Sequence, residues 1–243
     1  MLKQWYYDLM TEVHRKRGLA QLRRLERQHA TREERISVPF VYRGIGHFKK
    51  IQPRQNRTEI EGLYNEVCAL APKRVLEVGT ARGGTLYLWT QAARDDAIIV
   101  SVDLPGGEFG GAYPPCRVPF YRLFARASQD LHLLRADSHD PATLGEVRDL
   151  FASEPIDFAF IDGDHTYVGV KSDFETYGPL VRPGGLIAFH DILPRSDEPE
   201  IQVDRFWKEV RDQYDCHEFI GDDSGGRRIG IGVIQVGEKR VGE

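Results

Sequence analysis

Arg74-Val75-Leu76-Glu77-Val78-Gly79-Thr80-Ala81-Arg82-Gly83-Gly84-Thr85 is an apolar run that ends at a glycine-rich turn and passes into a helix-like pattern. A strand–turn–helix edge of this kind lets a nucleotide-like ligand approach the backbone closely. The spacing, Gly79-x-x-x-Gly83-Gly84, lacks the Gly-x-Gly-x-x-Gly of a pyrophosphate-binding turn. No Gly-Lys-Ser/Thr follows, so a P-loop is excluded as well. Glu77 stands just before the turn. A carboxylate there repels phosphate and suits a cationic or hydroxyl-rich ligand.

Outward from this turn the chain alternates. Strand-like runs fall at 75–79, 97–103, 132–136, 156–162 and 185–190, with helix-like segments at 84–93, 120–129, 142–151 and 168–180 between them. Alternation with short connections predicts a parallel sheet covered by helices on both faces. A further helix is expected around 203–214. Apolar runs near 216–221 and 229–236, with Gly225-Gly226 between them, predict an antiparallel pair closing the sheet. Before the first strand, 58–70 reads as a helix with Thr58 as its N-cap and Glu61 in the capping-box position.

Residues 1–36 have a different character. Trp5, Tyr6, Leu9, Met10, Val13, Leu19, Leu22 and Leu25 recur at helical spacing among arginines and lysines, with Gly18 interrupting the pattern. Such a basic amphipathic helix can lie on a membrane surface. The favoured expectation is an arm packed on its own domain or on a second subunit, so a homo-oligomer is expected. The division drawn is a helical arm and connector over 1–55 and a main domain over 56–243.

Composition narrows the class. The chain has 243 residues, 41% hydrophobic and 29% charged, with a net charge of −4. These values fit a globular protein and give no reason to expect nucleic acid. No apolar run approaches the ~20 residues of a membrane span. The start of the chain lacks the layout of a secretion signal. Cys68, Cys116 and Cys216 are too widely spaced for a metal pair or a disulfide framework, which fits a cytoplasmic location.

In a parallel sheet, chemistry collects where the strands end. Here those ends carry Glu77 and Gly79, then Asp103, then Asp137-Ser138, then Asp162-Gly163-Asp164-His165-Thr166-Tyr167, then His190-Asp191. A carboxylate at Asp103 suits a ribose diol, and Asp137-Ser138 can meet an adenine edge. Turn formation and helix capping compete for any one of these residues, as for Asp164 and Thr166. They do not explain polar groups at all five ends. Leu104–Pro115, rich in Gly and Pro and carrying Phe109 and Tyr113, reads as a lid or acceptor-facing loop. Arg195 is placed in a loop that could also face the acceptor.

The ordered set resembles a class I S-adenosylmethionine-dependent methyltransferase over about residues 56–236. Glu77–Gly84 resembles the first motif and Ser101-Val102-Asp103 the second. Ala136-Asp137-Ser138 resembles the adenine contact, and Pro183-Gly184-Gly185 the turn before the fifth strand. The resemblance implies a Rossmann-like α/β fold with seven strands, the last antiparallel, and S-adenosyl-L-methionine as cofactor. The cofactor residues would be Glu77, Gly79, Thr80, Gly83, Asp103, Asp137, Ser138 and Asp162. Glu77 would hold the methionine or ribose side.

Ile161–Tyr167 with Phe189-His190-Asp191 is similar to the branch of cephalosporin-hydroxylase-like proteins and macrolide-sugar and rhamnosyl O-methyltransferases. That likeness implies Mg²⁺ or another divalent metal on Asp162, His190 and Asp191, with His165 as general base. His190 departs from the commoner carboxylate. The implied reaction is methylation of a hydroxyl on a sugar, glycolipid or antibiotic. The same branch leaves open a cofactor-binding accessory or structural protein with no transfer of its own.

Overall fold

In a computed structural model, residues 2–107, 113–126, 128–222 and 228–237 are described, without the side chains of residues 2–7. The helices are α1 (Leu2–Gln28), α2 (Val38–Val41), α3 (Arg57–Leu70), α4 (Gly84–Ala92), α5 (Val118–Tyr121), α6 (Pro141–Leu150), α7 (Tyr167–Tyr177) and α8 (Val203–Val210). The strands are β1 (Arg74–Val78), β2 (Ile98–Val102), β3 (Asp130–Leu134), β4 (Ile156–Ile161), β5 (Val181–His190), β6 (Asp215–Asp222) and β7 (Arg228–Gln235).

Among the described residues the seven strands form one sheet in the order β3-β2-β1-β4-β5-β7-β6. The first five are parallel, and β7 runs antiparallel to both β5 and β6. This is the expected Rossmann-like α/β sheet. The antiparallel pair is present; its Gly225-Gly226 turn lies outside the described residues. From β1 the chain builds outward through β2 to β3, then returns to build β4 and β5 on the other side. That reversal puts a crevice at the carboxyl ends of β1 and β4.

Strand periodicity divides the core. On β1, Val75 joins one apolar cluster and Leu76 and Val78 the other. The first cluster includes Trp89 on α4, whose ring meets Phe158 and Phe160 of β4 at centroid distances of 5.0 and 5.3 Å. The second gathers Val147 and Phe151 at α6, Val170 and Tyr177 of α7, and Phe206 and Trp207 of α8. Helices therefore cover both faces.

The arm packs on its own chain. Leu22 and Leu25 of α1 belong to the first core cluster, together with Ile36, Val38, Tyr42, Phe48 and Ile51. Gly18 does not interrupt α1. It lies inside the helix, where a Cβ would stand 2.5 Å from the Tyr42 hydroxyl. The missing side chain is a packing requirement, not a break.

Two local expectations are corrected. The helix before β1 is capped by Asn56, not Thr58. Asn56 Oδ1 accepts from the Glu59 N–H at 3.0 Å, and Glu59 Oε1 accepts from the Asn56 N–H at 2.8 Å. The expected helix at 120–129 is only the short α5 and a 3-10 turn at Arg122–Phe124. It stops at Ala125, which is extended, and the side chains beyond it bond to α4's end instead. Arg126 donates to the Ala93 carbonyl at 2.5 Å and Gln129 to the Thr90 carbonyl at 2.8 Å.

Candidate active site

The crevice is held tight by glycine. Gly79 has φ +97°, and a Cβ there would stand 2.1 Å from the carbonyl oxygen of Asp162. The ends of β1 and β4 can close to this distance only without a side chain. Gly79 N–H donates to the Val102 carbonyl and Asp162 N–H to the Val78 carbonyl, both at 2.8 Å, so three strand ends are fixed together. Gly83, at φ +76°, begins α4 against the Tyr121 ring.

Over these ends lies a cavity of about 900 Å³. Gly79, Asp103, Asp137, Ser138, Asp162, His165, His190 and Asp191 all line it. Asp103, nearly buried, accepts from the Ala81 N–H at 2.7 Å and so ties β2 to the glycine turn. Asp137 accepts from the His139 N–H at 2.9 Å, and the Ser138 carbonyl accepts from the Tyr177 hydroxyl at 2.7 Å.

Glu77, Thr80 and Gly83 are not on the cavity wall. Glu77 is fully buried behind the turn. Its Oε2 accepts from Ser101 Oγ at 2.5 Å, and Ser101 Oγ lies 2.5 Å from Thr80 Oγ1. Burial pushes the Glu77 carboxyl up to about 8, with Asp103 and Asp162 nearby adding to the effect against two hydroxyl hydrogen bonds. The expectation of a carboxylate facing the ligand is therefore corrected. Glu77 lies behind the cleft, with Ser101 and then Thr80 beyond its carboxyl.

At the ends of β4 and β5 a second group converges. His165 Nε2 lies 3.4 Å from Asp162 Oδ1, and His165 Nδ1 lies 3.5 Å from Asp191 Oδ2. Ligand atoms of Asp162, His165 and Asp191 all fall within 4.8 Å of one another. Each carboxylate is steered by its other oxygen: Gln55 Nε2 donates to Asp162 Oδ2 at 2.8 Å, and Arg195 donates to Asp191 Oδ1 at 2.6 Å. Asp191 has φ +60°, a left-handed conformation that a non-glycine residue adopts only under constraint. It turns the chain sharply just past β5.

His190 lies against the same two aspartates. It is buried, with Nδ1 3.2 Å from Asp162 Oδ1 and 3.4 Å from Asp191 Oδ2, while Nε2 lies 3.3 Å from Glu59 Oε1. His165 joins the two aspartates in a triplet whose ligand atoms converge, and His190 Nδ1 faces the same two carboxylate oxygens.

The charges follow. Burial disfavours ionised His190, but Asp191, Asp162 and Glu59 outweigh it and raise its pKa well above the ordinary value. His165 is raised in the same sense: burial opposes its charge, and Asp162 and Asp191 prevail. Asp162 is held well below the usual carboxylate range despite its burial, because His190 and His165 face it.

Asp164, Thr166 and Arg195 line the cavity as well. Asp164 and Thr166 are turn and cap residues: Asp164 accepts from the Thr166 N–H at 2.8 Å, and Thr166 Oγ1 from the Gly169 N–H at 3.0 Å. Tyr113 is buried against Tyr121, with ring centroids 4.8 Å apart, and is not a lid residue; Phe109 lies outside the described residues. Arg195 is engaged by Asp191 and Glu198. Gln55 and Glu59 went unnoticed in the sequence because they precede β1 and belong to no strand end. Glu59 carried one signal, an acidic residue beside the apolar stripe of Ile60, Leu63, Tyr64 and Val67.

Residues 76–192 match a family model described as a methyltransferase domain. Two curated relatives are similar. One is the uncharacterised protein y4gI of Sinorhizobium fredii (strain NBRC 101917 / NGR234), 30% identical over 148 residues, covering 59% of this chain and 16% of the relative. The other is the uncharacterised protein R132 of Acanthamoeba polyphaga mimivirus, 30% identical over 126 residues, covering 52% and 54%. The chain thus spans a small part of one relative and about half of the other. Among solved structures, an O-methyltransferase from Bacillus cereus in complex with SAH aligns with a TM-score of 0.54 and 20% identity, over 76% of this chain and 84% of that one. That likeness establishes a shared fold.

Proposed function

We propose, from the match of residues 76–192 to a methyltransferase-domain model, that the protein moves the methyl group of S-adenosylmethionine to a hydroxyl of a sugar or natural-product acceptor. The observation that carries this reading is one cavity with two chemistries. A glycine turn and Asp103 stand at one side, and Asp162, His165 and Asp191 at the other. Asp103 would bind the ribose hydroxyls, Asp137 and Ser138 the adenine edge, and Gly79 would let the cofactor approach the backbone. The SAH held by the Bacillus cereus protein of the same fold supports this choice of cofactor.

The chemistry asks little covalent work of the protein. The acceptor oxygen attacks the sulfonium methyl, the carbon–sulfur bond breaks, and its electron pair stays on sulfur. The hydroxyl proton must leave. His165 is the group to take it: when neutral it would keep one N–H toward one carboxylate and turn its unprotonated nitrogen from the other carboxylate to the acceptor. The imidazolium that forms is then held between Asp162 and Asp191. Alignment of methyl and oxygen supplies much of the acceleration.

A second reading has a specific observation behind it. Two carboxylates and an imidazole converge, and Gln55 and Arg195 orient the carboxylates from outside. This donor set fits a divalent ion such as Mg²⁺, with Asp162, Asp191 and His165 as ligands. A bound ion lowers the pKa of the acceptor hydroxyl. His165 would then hold the ion instead of taking the proton.

Methyl transfer to a panel of sugars and glycosides, before and after treatment with a chelator, tests both. Transfer lost with His165→Ala but unaffected by chelation supports the base. Transfer lost on chelation and restored by Mg²⁺ supports the ion. Detectable cofactor binding with no transfer to any hydroxylated acceptor would instead favour an accessory role in a partner's reaction. A cytoplasmic setting and self-association accompany this proposal, and sedimentation of the purified chain tests the latter.

A further inference from the structure

A second concavity, of about 630 Å³, adjoins the first and shares Arg54, Ala81 and Arg82 with it. Its far wall is the arm, through Met10, Thr11 and His14 of α1, and its floor includes Lys49 and Arg117. Among the described residues no Asp or Glu lines it. Four permanent cations, Lys49, Arg54, Arg82 and Arg117, therefore face one groove in a chain whose net charge is −4.

Arg54 and Arg82 also line the first cavity, with its carboxylates, while Lys49 and Arg117 line only the groove. Among the described residues none of the four forms an ion pair with a carboxylate. Arg117 donates to the His47 carbonyl at 2.6 Å, the Lys50 carbonyl at 3.2 Å and the Tyr121 hydroxyl at 2.7 Å, all neutral acceptors. These bonds fix its position and leave its charge unbalanced. Like charges gathered in a concavity repel one another, and low-dielectric walls focus their field. Arginine forks and lysine points are the usual recognition groups for phosphate.

We infer that this groove holds the phosphate or diphosphate of the acceptor, so that the substrate class is a phosphorylated hydroxyl compound. The shared wall at Arg54 and Arg82 lets one molecule carry its phosphate in the groove and its hydroxyl in the cofactor cleft. The arm acquires a function by the same geometry: α1 completes the groove. The inference rests on the proposed transfer reaction for the identity of the hydroxyl, but the groove's anion binding is measurable without it.

Titration calorimetry with inorganic pyrophosphate, at matched ionic strength, separates the two claims. The full chain is titrated alone and after saturation with SAH, as wild type and as Lys49→Gln. Lys49 is exposed and lines only the groove, so the variant is expected to fold, as circular dichroism can verify. Saturable 1:1 binding of pyrophosphate that persists with SAH bound, and weakens about tenfold in Lys49→Gln, is the expected result. No saturable binding, an unchanged affinity in the variant, or competition with SAH overturns the groove. Failure of SAH itself to bind overturns the transfer reading and leaves the groove to be judged on the free protein.

Discussion

Asp162 is where the site's interactions meet. It accepts from Gln55, faces both histidines, and its carbonyl presses on Gly79. Its position at a strand end made it readable from sequence, because an apolar run that stops at Asp-Gly marks the edge of a parallel sheet. That both His165 and His190 would face the same two carboxylates was not readable. Both follow strand ends, and what separates them is the left-handed turn at Asp191 and the burial of His190 against Glu59, a residue 131 positions away. Glu77 was read correctly as special and wrongly as a ligand-facing carboxylate, since nothing local reveals how deep it lies. Its carboxyl has a testable consequence. The folded state holds the proton up to about pH 8, whereas an unfolded Glu releases it near ~4.3. The folded chain therefore binds the extra proton between those values, and stability from this group is lost as pH rises through that window. Glu77→Gln, which stays neutral, is expected to remove that downward slope; urea unfolding at pH 5, 7 and 9 measures it. Parallel pH curves for variant and wild type would contradict the neutral-Glu77 assignment.

At the scale of elements, the start of α3 shows how a correct rule can select a wrong residue. Asn56-x-x-Glu59 and Thr58-x-x-Glu61 both satisfy the capping-box pattern. The structure uses the first because Glu59 is buried and reaches His190, while Thr58 and Glu61 face solvent. The cap thus joins helix stability to the site. Asn56→Ala is expected to lower stability by about 1 kcal/mol and to reduce methyl transfer, because the Glu59 N–H loses its acceptor and the helix end that carries the Glu59 side chain to His190 is loosened. Thr58→Ala should change stability by less than about 0.5 kcal/mol. Thermal melts of both variants check this ordering, and a larger loss at Thr58 would refute it. The five parallel strands were legible because apolar runs and glycine punctuation are local signals. The 120–129 segment was not, since its helical pattern is overridden by the bonds of Arg126 and Gln129 to the end of α4.

For the whole molecule, sheet order and arm placement decide what the strand ends can do. The reversal between β1 and β4 creates the cofactor-sized cleft, and α1 walls the basic groove beside it. Alternation alone implied the first. The second needed the tertiary packing of Leu22 and Leu25, which one sequence cannot assign to a particular surface. Leu22 is completely buried, so Leu22→Ala is expected to cost about 3 kcal/mol, read as a lower urea midpoint with an unchanged slope. An unaltered midpoint would mean that the arm is not part of the folded core. The most direct test of the central claim, that the strand ends form an S-adenosylmethionine site, is calorimetric titration of SAH into wild type and Asp103→Asn. Saturable 1:1 binding in the wild type, weakened tenfold or more (about 1.5 kcal/mol or greater) by removing the carboxylate charge, is expected. No binding to the wild type, or equal affinity in the two proteins, would contradict it.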